Sequence, residues 1–146
     1  MEIERKYLVE KLPEHLEKFK SIQIEQGYLC REPVVRIRRE NEDYYLTYKS
    51  KGFLVREEYN LPLTKDSYKH LFKKVDGKVI TKTRYIIPLD SDLNIELDVF
   101  LGDLEGLLLA EVEFLDEETA NTFIPPKWFG EDVTFSEKYQ NSNLSK

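Results

Sequence analysis

Along most of the chain, charged and apolar side chains alternate residue by residue. In the opening stretch Glu2-Ile3-Glu4-Arg5-Lys6-Tyr7-Leu8-Val9, the side chains of Glu2, Glu4 and Lys6 share one face of an extended strand, and Ile3, Tyr7 and Val9 share the other. Successive side chains of a strand point to opposite faces, so a period of two is the mark of a sheet with two unlike sides. The same period predicts a strand over residues 34 to 39, with Arg36 and Arg38 opposite Val35 and Ile37. It recurs over 44 to 51, with Lys49 and Lys51 opposite Tyr44, Leu46 and Tyr48, and, after Gly52, over 54 to 61 with Arg56, Glu58 and Asn60 on the charged side. Glu57 is the exception in that return, a charge on the apolar side. Lys82 and Arg84 repeat the pattern over 79 to 87, Glu96 and Asp98 over 95 to 99, and Glu111 and Glu113 over 107 to 114. A further strand is expected over 22 to 30, around Gln26-Gly27-Tyr28.

Three stretches switch to helical spacing. Pro13 with Leu12, Leu16 and Phe19 predicts a short amphipathic helix from 13 to about 20. Thr64 as a cap, the stripe Tyr68, Leu71, Phe72 and Val75, and Gly77 as a stop predict a second. Asp116, Glu117 and Glu118 ahead of Phe123 and Ile124, closed by Pro125-Pro126, predict a third. The tail from 132 to 146 shows no clear period.

Charged faces of both signs restrict the architecture. An open antiparallel sheet wetted on one side fits the pattern. A membrane barrel does not, because the strands are short and amphipathic helices are available to cover the apolar faces. A soluble closed barrel also fits, with charge inside and helices outside, and it would bring the charges together in one lumen. Arginines and carboxylates shut away from water demand a ligand, since their desolvation is otherwise too costly. A polyanion held by guanidinium and ammonium groups, together with Mg²⁺ or Mn²⁺ held by carboxylates, satisfies both signs.

Composition narrows the partners. The 146 residues are enough for one domain, spanning 1 to 146, and 40% apolar residues can build its core. A net charge of −6 argues against a broad phosphate-neutralising surface, so no nucleic acid is expected. The single Cys30 excludes an internal disulfide framework. Charges at Glu2, Glu4, Arg5 and Lys6 replace the apolar run of a signal peptide, so a cytoplasmic protein without membrane contact is expected.

Taken together, Glu2-x-Glu4-x-Lys6, Arg36-x-Arg38, Lys49, Arg56-x-Glu58, Lys82-x-Arg84, Glu96-x-Asp98 and Glu111-x-Glu113 resemble the CYTH superfamily of triphosphate tunnel metalloenzymes. The likeness spans essentially the whole chain, and Lys138-Tyr139-Gln140-Asn141 resembles its short bacterial branch. It implies an α+β fold: a closed, eight-stranded antiparallel tunnel with a charged lumen and helices packed outside. Also implied are substrate-binding roles for Lys6, Arg36, Arg38, Lys49, Arg56, Lys82 and Arg84, and metal-binding roles for Glu2, Glu4, Glu58, Asp98, Glu111 and Glu113, with Glu96 in support. Lys82, Tyr28 and Glu58 match the catalytic positions. The implied reaction is Mg²⁺- or Mn²⁺-dependent hydrolysis of tripolyphosphate to pyrophosphate and phosphate. The same resemblance leaves open a class IV adenylyl cyclase, a thiamine triphosphatase, a non-catalytic polyphosphate-binding module, and a homodimer. One position departs from the pattern: many relatives carry a second glutamate where this chain has Asn60.

Overall fold

The computed structural model describes the backbone of residues 1–146 and every side chain except that of Ser91. Its strands are β1 (Glu2–Leu8), β2 (Lys20–Arg31), β3 (Val34–Glu40), β4 (Asp43–Lys49), β5 (Val55–Arg56), β6 (Glu58–Leu63), β7 (Asp76–Pro88), β8 (Asn94–Leu101) and β9 (Leu108–Glu113). They pair antiparallel in the order β5-β1-β9-β8-β7-β2-β3-β4-β6. The two ends of that order, β5 and β6, are separated in the chain by Glu57 alone. One bent segment therefore pairs with β1 through Arg56 and Val55 and with β4 through residues 58 to 63. Counted as one stave, it gives the eight expected staves and a nearly closed barrel. Glu57, the charge that broke the alternation, marks the bend.

The free edge of β1 is covered by the tail that lacked a sequence pattern. Val133 N–H donates to Lys6 O at 2.8 Å, Leu8 N–H to Glu131 O at 2.8 Å, and Gly130 N–H to Leu8 O at 2.7 Å. An edge of unpaired backbone groups is an aggregation hazard, and this segment removes much of it.

Apolar side chains pack on the outside of β1, β7, β8 and β9. Tyr7, Ile87, Ile95, Leu97, Ala110, Val112 and Phe114 form one cluster with Ala120 of α2 (Glu117–Asn121) and with Phe129, and Leu16, Phe19, Phe123 and Trp128 cover it. On the other side, Tyr68 of α1 (Lys65–Phe72) stacks on Tyr44 with ring centroids 4.9 Å apart. The inward phase is charged at one end only. Toward the other end Val34, Ile80, Phe100 and Leu109 pack around Tyr28, with Tyr139 and with Leu144 of α3 (Asn141–Leu144) against them.

The helices are shorter than the sequence spacing predicts. Residues 13 to 20 form only a 3-10 turn, Leu16–Lys18, preceded by His15 at φ 62°. A segment of that length cannot sustain a helix by itself, and Leu16 and Phe19 reach the core without one. The second helix stops at Phe72 rather than running to Gly77, because Asp76 already pairs with Tyr28 as the start of β7. The third is confined to Glu117–Asn121. Among the described residues no helix is long and apolar enough to cross a membrane.

Gly77 has φ 82°, and a Cβ there would collide with the Ser145 carbonyl oxygen and the Arg31 guanidinium. Gly77→Ala is expected to cost more than about 1 kcal/mol in urea denaturation, from strain plus overpacking. Limited proteolysis should cut its C-terminal segment faster than in the wild type; equal midpoints and equal cleavage would contradict this packing.

Candidate active site

The inward phases of the staves converge on a cavity of about 270 Å³. Lys6, Arg36, Arg38, Lys49, Arg56 and Arg84 line it, as do Glu2, Glu4, Glu58, Glu111, Glu113 and Tyr28. Two residues singled out by the sequence, Lys82 and Asp98, stand behind the lining, both fully buried. Asp98 is held from two sides. Arg84 donates to it twice, Nε to Oδ1 at 2.7 Å and Nη2 to Oδ2 at 2.9 Å, and Lys82 Nζ lies 2.7 Å from Oδ2. Those three contacts occupy the carboxylate, so it serves to fix Arg84 rather than to face the lumen.

The acids fall into two groups. Glu4, Glu96 and Glu111 can each place a carboxylate oxygen within 4.8 Å of the others. Burial, with Glu111 and Glu2 nearby, pushes the Glu4 carboxyl well above the usual range. Burial acts the same way on Glu111, but Lys6, Arg84 and Lys82 outweigh it and hold that group well below. Their neighbours therefore drive the two carboxyls apart, Glu4 upward and Glu111 downward. Glu111 Oε1 is buried without a hydrogen-bond partner. An oxygen-only donor set, in which one buried oxygen makes no hydrogen bond and has Lys6 and Arg84 no nearer than 3.9 Å, fits a hard divalent cation such as Mg²⁺ or Mn²⁺.

In the second group, Glu2 and Glu58 are bridged by Lys49. Its Nζ lies 3.0 and 3.2 Å from the Glu2 oxygens and 3.2 Å from Glu58 Oε2. Burial lowers the Lys49 ammonium, but Glu4 and Glu2 more than compensate and hold it protonated. Asn60 joins this group as a clamp. Thr47 Oγ1 donates to its Oδ1 at 2.6 Å, and its Nδ2 donates to Glu58 Oε1 at 3.3 Å. Asn60 thus orients Glu58 and adds no charge. Glu113 is exposed at the cavity's rim.

On the basic side, charges crowd one another. Burial, then the neighbouring charges of Arg36 and Arg84, lowers the Arg38 guanidinium to about 10. Arg36 Nε is buried without a hydrogen-bond partner. Burial lowers Lys82 to about 7 despite Asp98. Lys82 Nζ also reaches Asn141 Oδ1 at 3.3 Å, and Asn141 lines the cavity. Lys82 and Tyr28 share no hydrogen bond; the Tyr28 hydroxyl instead accepts from Gln26.

Several lining residues carried no functional assignment from the sequence. Tyr45 and Thr47 share the phase of Lys49, and Glu40 and Val34 that of Arg36, so strand parity alone would have found them. Glu96 belongs to the cation-competent group that its neighbour Asp98 does not join. Gln140, Asn141 and Ser142 close part of the cavity from the C-terminal segment, with Lys6 Nζ donating to Tyr139 O at 3.0 Å. No local period marks that segment, because its place is set by long-range contacts such as Arg31 Nε to Ser142 O at 2.9 Å.

Comparison with known proteins agrees with this geometry. The CYTH domain matches residues 1–146. The inorganic triphosphatase of Nitrosomonas europaea is 40% identical over 147 residues, covering 99% of this chain and 96% of that protein. The inorganic triphosphatase of Acetivibrio thermocellus is 36% identical over 152 residues, covering 99% and 93%. A solved structure of an inorganic triphosphatase superposes with a TM-score of 0.73 at 38% identity, covering 99% of this chain and 94% of the other. A nearly closed barrel with acids and bases facing each other in its lumen, matched along its whole length, makes this chain a member of the CYTH family.

Proposed function

We propose that the chain hydrolyses inorganic tripolyphosphate to pyrophosphate and phosphate, with Mg²⁺ or Mn²⁺ as the cation. The observation that carries this reading is a single cavity in which Arg36 Nε and Glu111 Oε1 are both buried without a hydrogen-bond partner, one a donor for an anion and the other an acceptor for a cation. The CYTH family is metal-dependent in general, and the relatives named above are inorganic triphosphatases. The lining supports an inorganic chain of phosphates over a nucleoside triphosphate, since apart from Val34, Tyr28 and Tyr45 every side chain in it among the described residues is charged, amide or hydroxyl.

The chemistry follows from placement and charge. Arg36, Arg38 and Arg84 grip phosphoryl oxygens, to which a guanidinium donates bidentately, while Lys6 and Lys49 add point charges. Their crowding is relieved when an anion enters, so part of the binding energy is stored as repulsion among the bases. When bound, a divalent cation at Glu4, Glu96 and Glu111 adds neutralisation of phosphoryl charge. Water attacks the terminal phosphorus, the bridging P–O bond breaks, and pyrophosphate leaves with the electron pair. The proton released by the water goes to Lys82, whose neutral form is populated above about pH 7, once the Asn141 side chain that accepts from its Nζ at the lumen wall turns aside to admit the water. Glu58, oriented by Asn60 and Lys49, positions that water. Positioning and electrostatics carry most of the barrier reduction in phosphoryl transfer.

Phosphate release from tripolyphosphate, ATP and thiamine triphosphate, each with Mg²⁺ and with Mn²⁺, tests the reading. Tripolyphosphate is expected to turn over fastest, and no release from any of them would sink it. Cyclic AMP from ATP would instead mark a cyclase. The pH profile gives a second check. For tripolyphosphate, kcat/KM should climb as pH rises through about 7, where Lys82 loses its proton, whereas Lys82→Arg should be slow and lack that limb. A wild-type limb retained in Lys82→Arg would remove Lys82 from the proton transfer.

A third check needs no turnover. At a hundredfold excess over Kd, Mn²⁺ should stabilise the protein by about 2.7 kcal/mol in thermal unfolding. That gain should shrink as pH falls, because the raised Glu4 carboxyl keeps its proton and the cation must displace it. Glu111→Gln should show no gain, and an unchanged gain there would place the cation elsewhere.

A further inference from the structure

Gln26 takes no part in the reaction as described, yet it is completely buried on β2 between two residues of the cavity. It faces Arg38 across the β2–β3 pairing. Arg38 Nε donates to its Oε1 at 2.8 Å, and its Nε2 donates to the Tyr28 hydroxyl oxygen at 3.2 Å. The direction of these two bonds is set by chemistry. A guanidinium has donors and no acceptor, so the amide must turn its oxygen to Arg38, and its NH₂ end is left to face Tyr28. The phenol oxygen then accepts along that line, and its own proton must point elsewhere.

The surroundings leave that proton one outlet. Val34, Ile80, Phe100 and Leu109 pack around the Tyr28 ring and offer no side-chain acceptor. Among the described residues, Gln26 is the hydroxyl's sole hydrogen-bond partner, and Tyr28 lines the cavity. Gly27 between them lets the strand sit close under Val75, where a Cβ would meet Cγ2 at 2.6 Å. This packing fixes the backbone that carries both side chains.

We propose that Gln26, locked by Arg38, is a positioning residue that turns the Tyr28 O–H into the cavity as a donor to a phosphoryl oxygen. The proposal rests on the reading of the cavity as a triphosphate site. It divides the labour between the two catalytic positions: Tyr28 donates to the substrate, and the proton from water goes to Lys82.

Calorimetric binding of tripolyphosphate in EDTA, where turnover is suppressed, tests it across wild type, Tyr28→Phe, Gln26→Glu and the double variant. In the wild-type background Tyr28→Phe should weaken binding about tenfold, the value of one hydrogen bond to a charged group. Gln26→Glu keeps an acceptor for Arg38 but has no N–H, so the Tyr28 proton turns onto the introduced carboxylate. In that background Tyr28→Phe should cost less than about twofold, and the added negative charge cancels because both members of the comparison carry it. A tenfold loss in both backgrounds overturns the proposal.

A wild-type measurement covers the case in which Gln26→Glu fails to fold. The ¹³Cζ tyrosine resonance that disappears in Tyr28→Phe should shift when tripolyphosphate is added to the wild type, and an unmoved resonance overturns the proposal. Binding with no hydrolysis under either metal would overturn the hydrolytic reading alone and leave the Tyr28→Phe comparison to decide. Failure of the wild type to bind would overturn both.

Discussion

Charge taken out of water has to be matched by opposite charge or by a ligand, and the interior of this barrel is organised by that requirement. Part of the interior meets it internally. Lys82 and Arg84 enclose Asp98 with three contacts of 2.9 Å or less, deep in the wall, and this trio is a frame that fixes Arg84. Lys49 does the same for Glu2 and Glu58. What remains without a hydrogen bond is Arg36 Nε on one side of the lumen and, on the other, Glu111 Oε1, which has Lys6 and Arg84 no nearer than 3.9 Å. The hydrogen-bonded groups supply rigidity, and the two left without a hydrogen bond are the ones a ligand could still satisfy.

The fold follows from where the apolar half of each strand goes. A sheet with one charged and one apolar face buries the apolar side under the 114–129 segment, α1 and α2, and must then place the charged side somewhere. Bending the 54–63 segment at Glu57 lets its two halves pair with β1 and β4, which brings the ends of the sheet together and turns the charged side inward. The apolar floor around Tyr28 then blocks one end, so that the charged cavity is a cup with a built-in end wall rather than a uniform channel.

Much of this was legible in the sequence because strand parity is a strict code. Lys6, Arg36, Arg38, Lys49, Arg56 and Arg84 were placed on inward faces by alternation, and the structure brings them to one cavity. Parity gives the face of a residue but not its depth. Asp98 and Glu96 lie two residues apart on the same face of β8, yet Asp98 is consumed by three contacts from Arg84 and Lys82, while Glu96 takes one bond from Arg84 Nη1 at 3.1 Å and still reaches Glu4 and Glu111. Only the register between β7 and β8, which pairs Arg84 with Asp98, decides between them, and a single sequence does not contain it. The helices were over-read for a similar reason. The stripe from Tyr68 to Val75 is continuous, but Val75 packs over Gly27 and the chain has already turned toward β7. The C-terminal segment was invisible to any local period, because Arg31 and Lys6 hold it from distant strands.

The central claim is that one lumen holds cation and phosphate chain together, between the acids and the bases that alternation placed there. Anomalous diffraction from crystals grown with Mn²⁺ and a non-hydrolysable imido analogue of tripolyphosphate tests it most directly. The account requires a manganese peak beside Glu4, Glu96 and Glu111, with the analogue's phosphoryl oxygens against Arg36 and Arg38. A manganese peak outside the barrel, or a lumen without phosphate density, would contradict it.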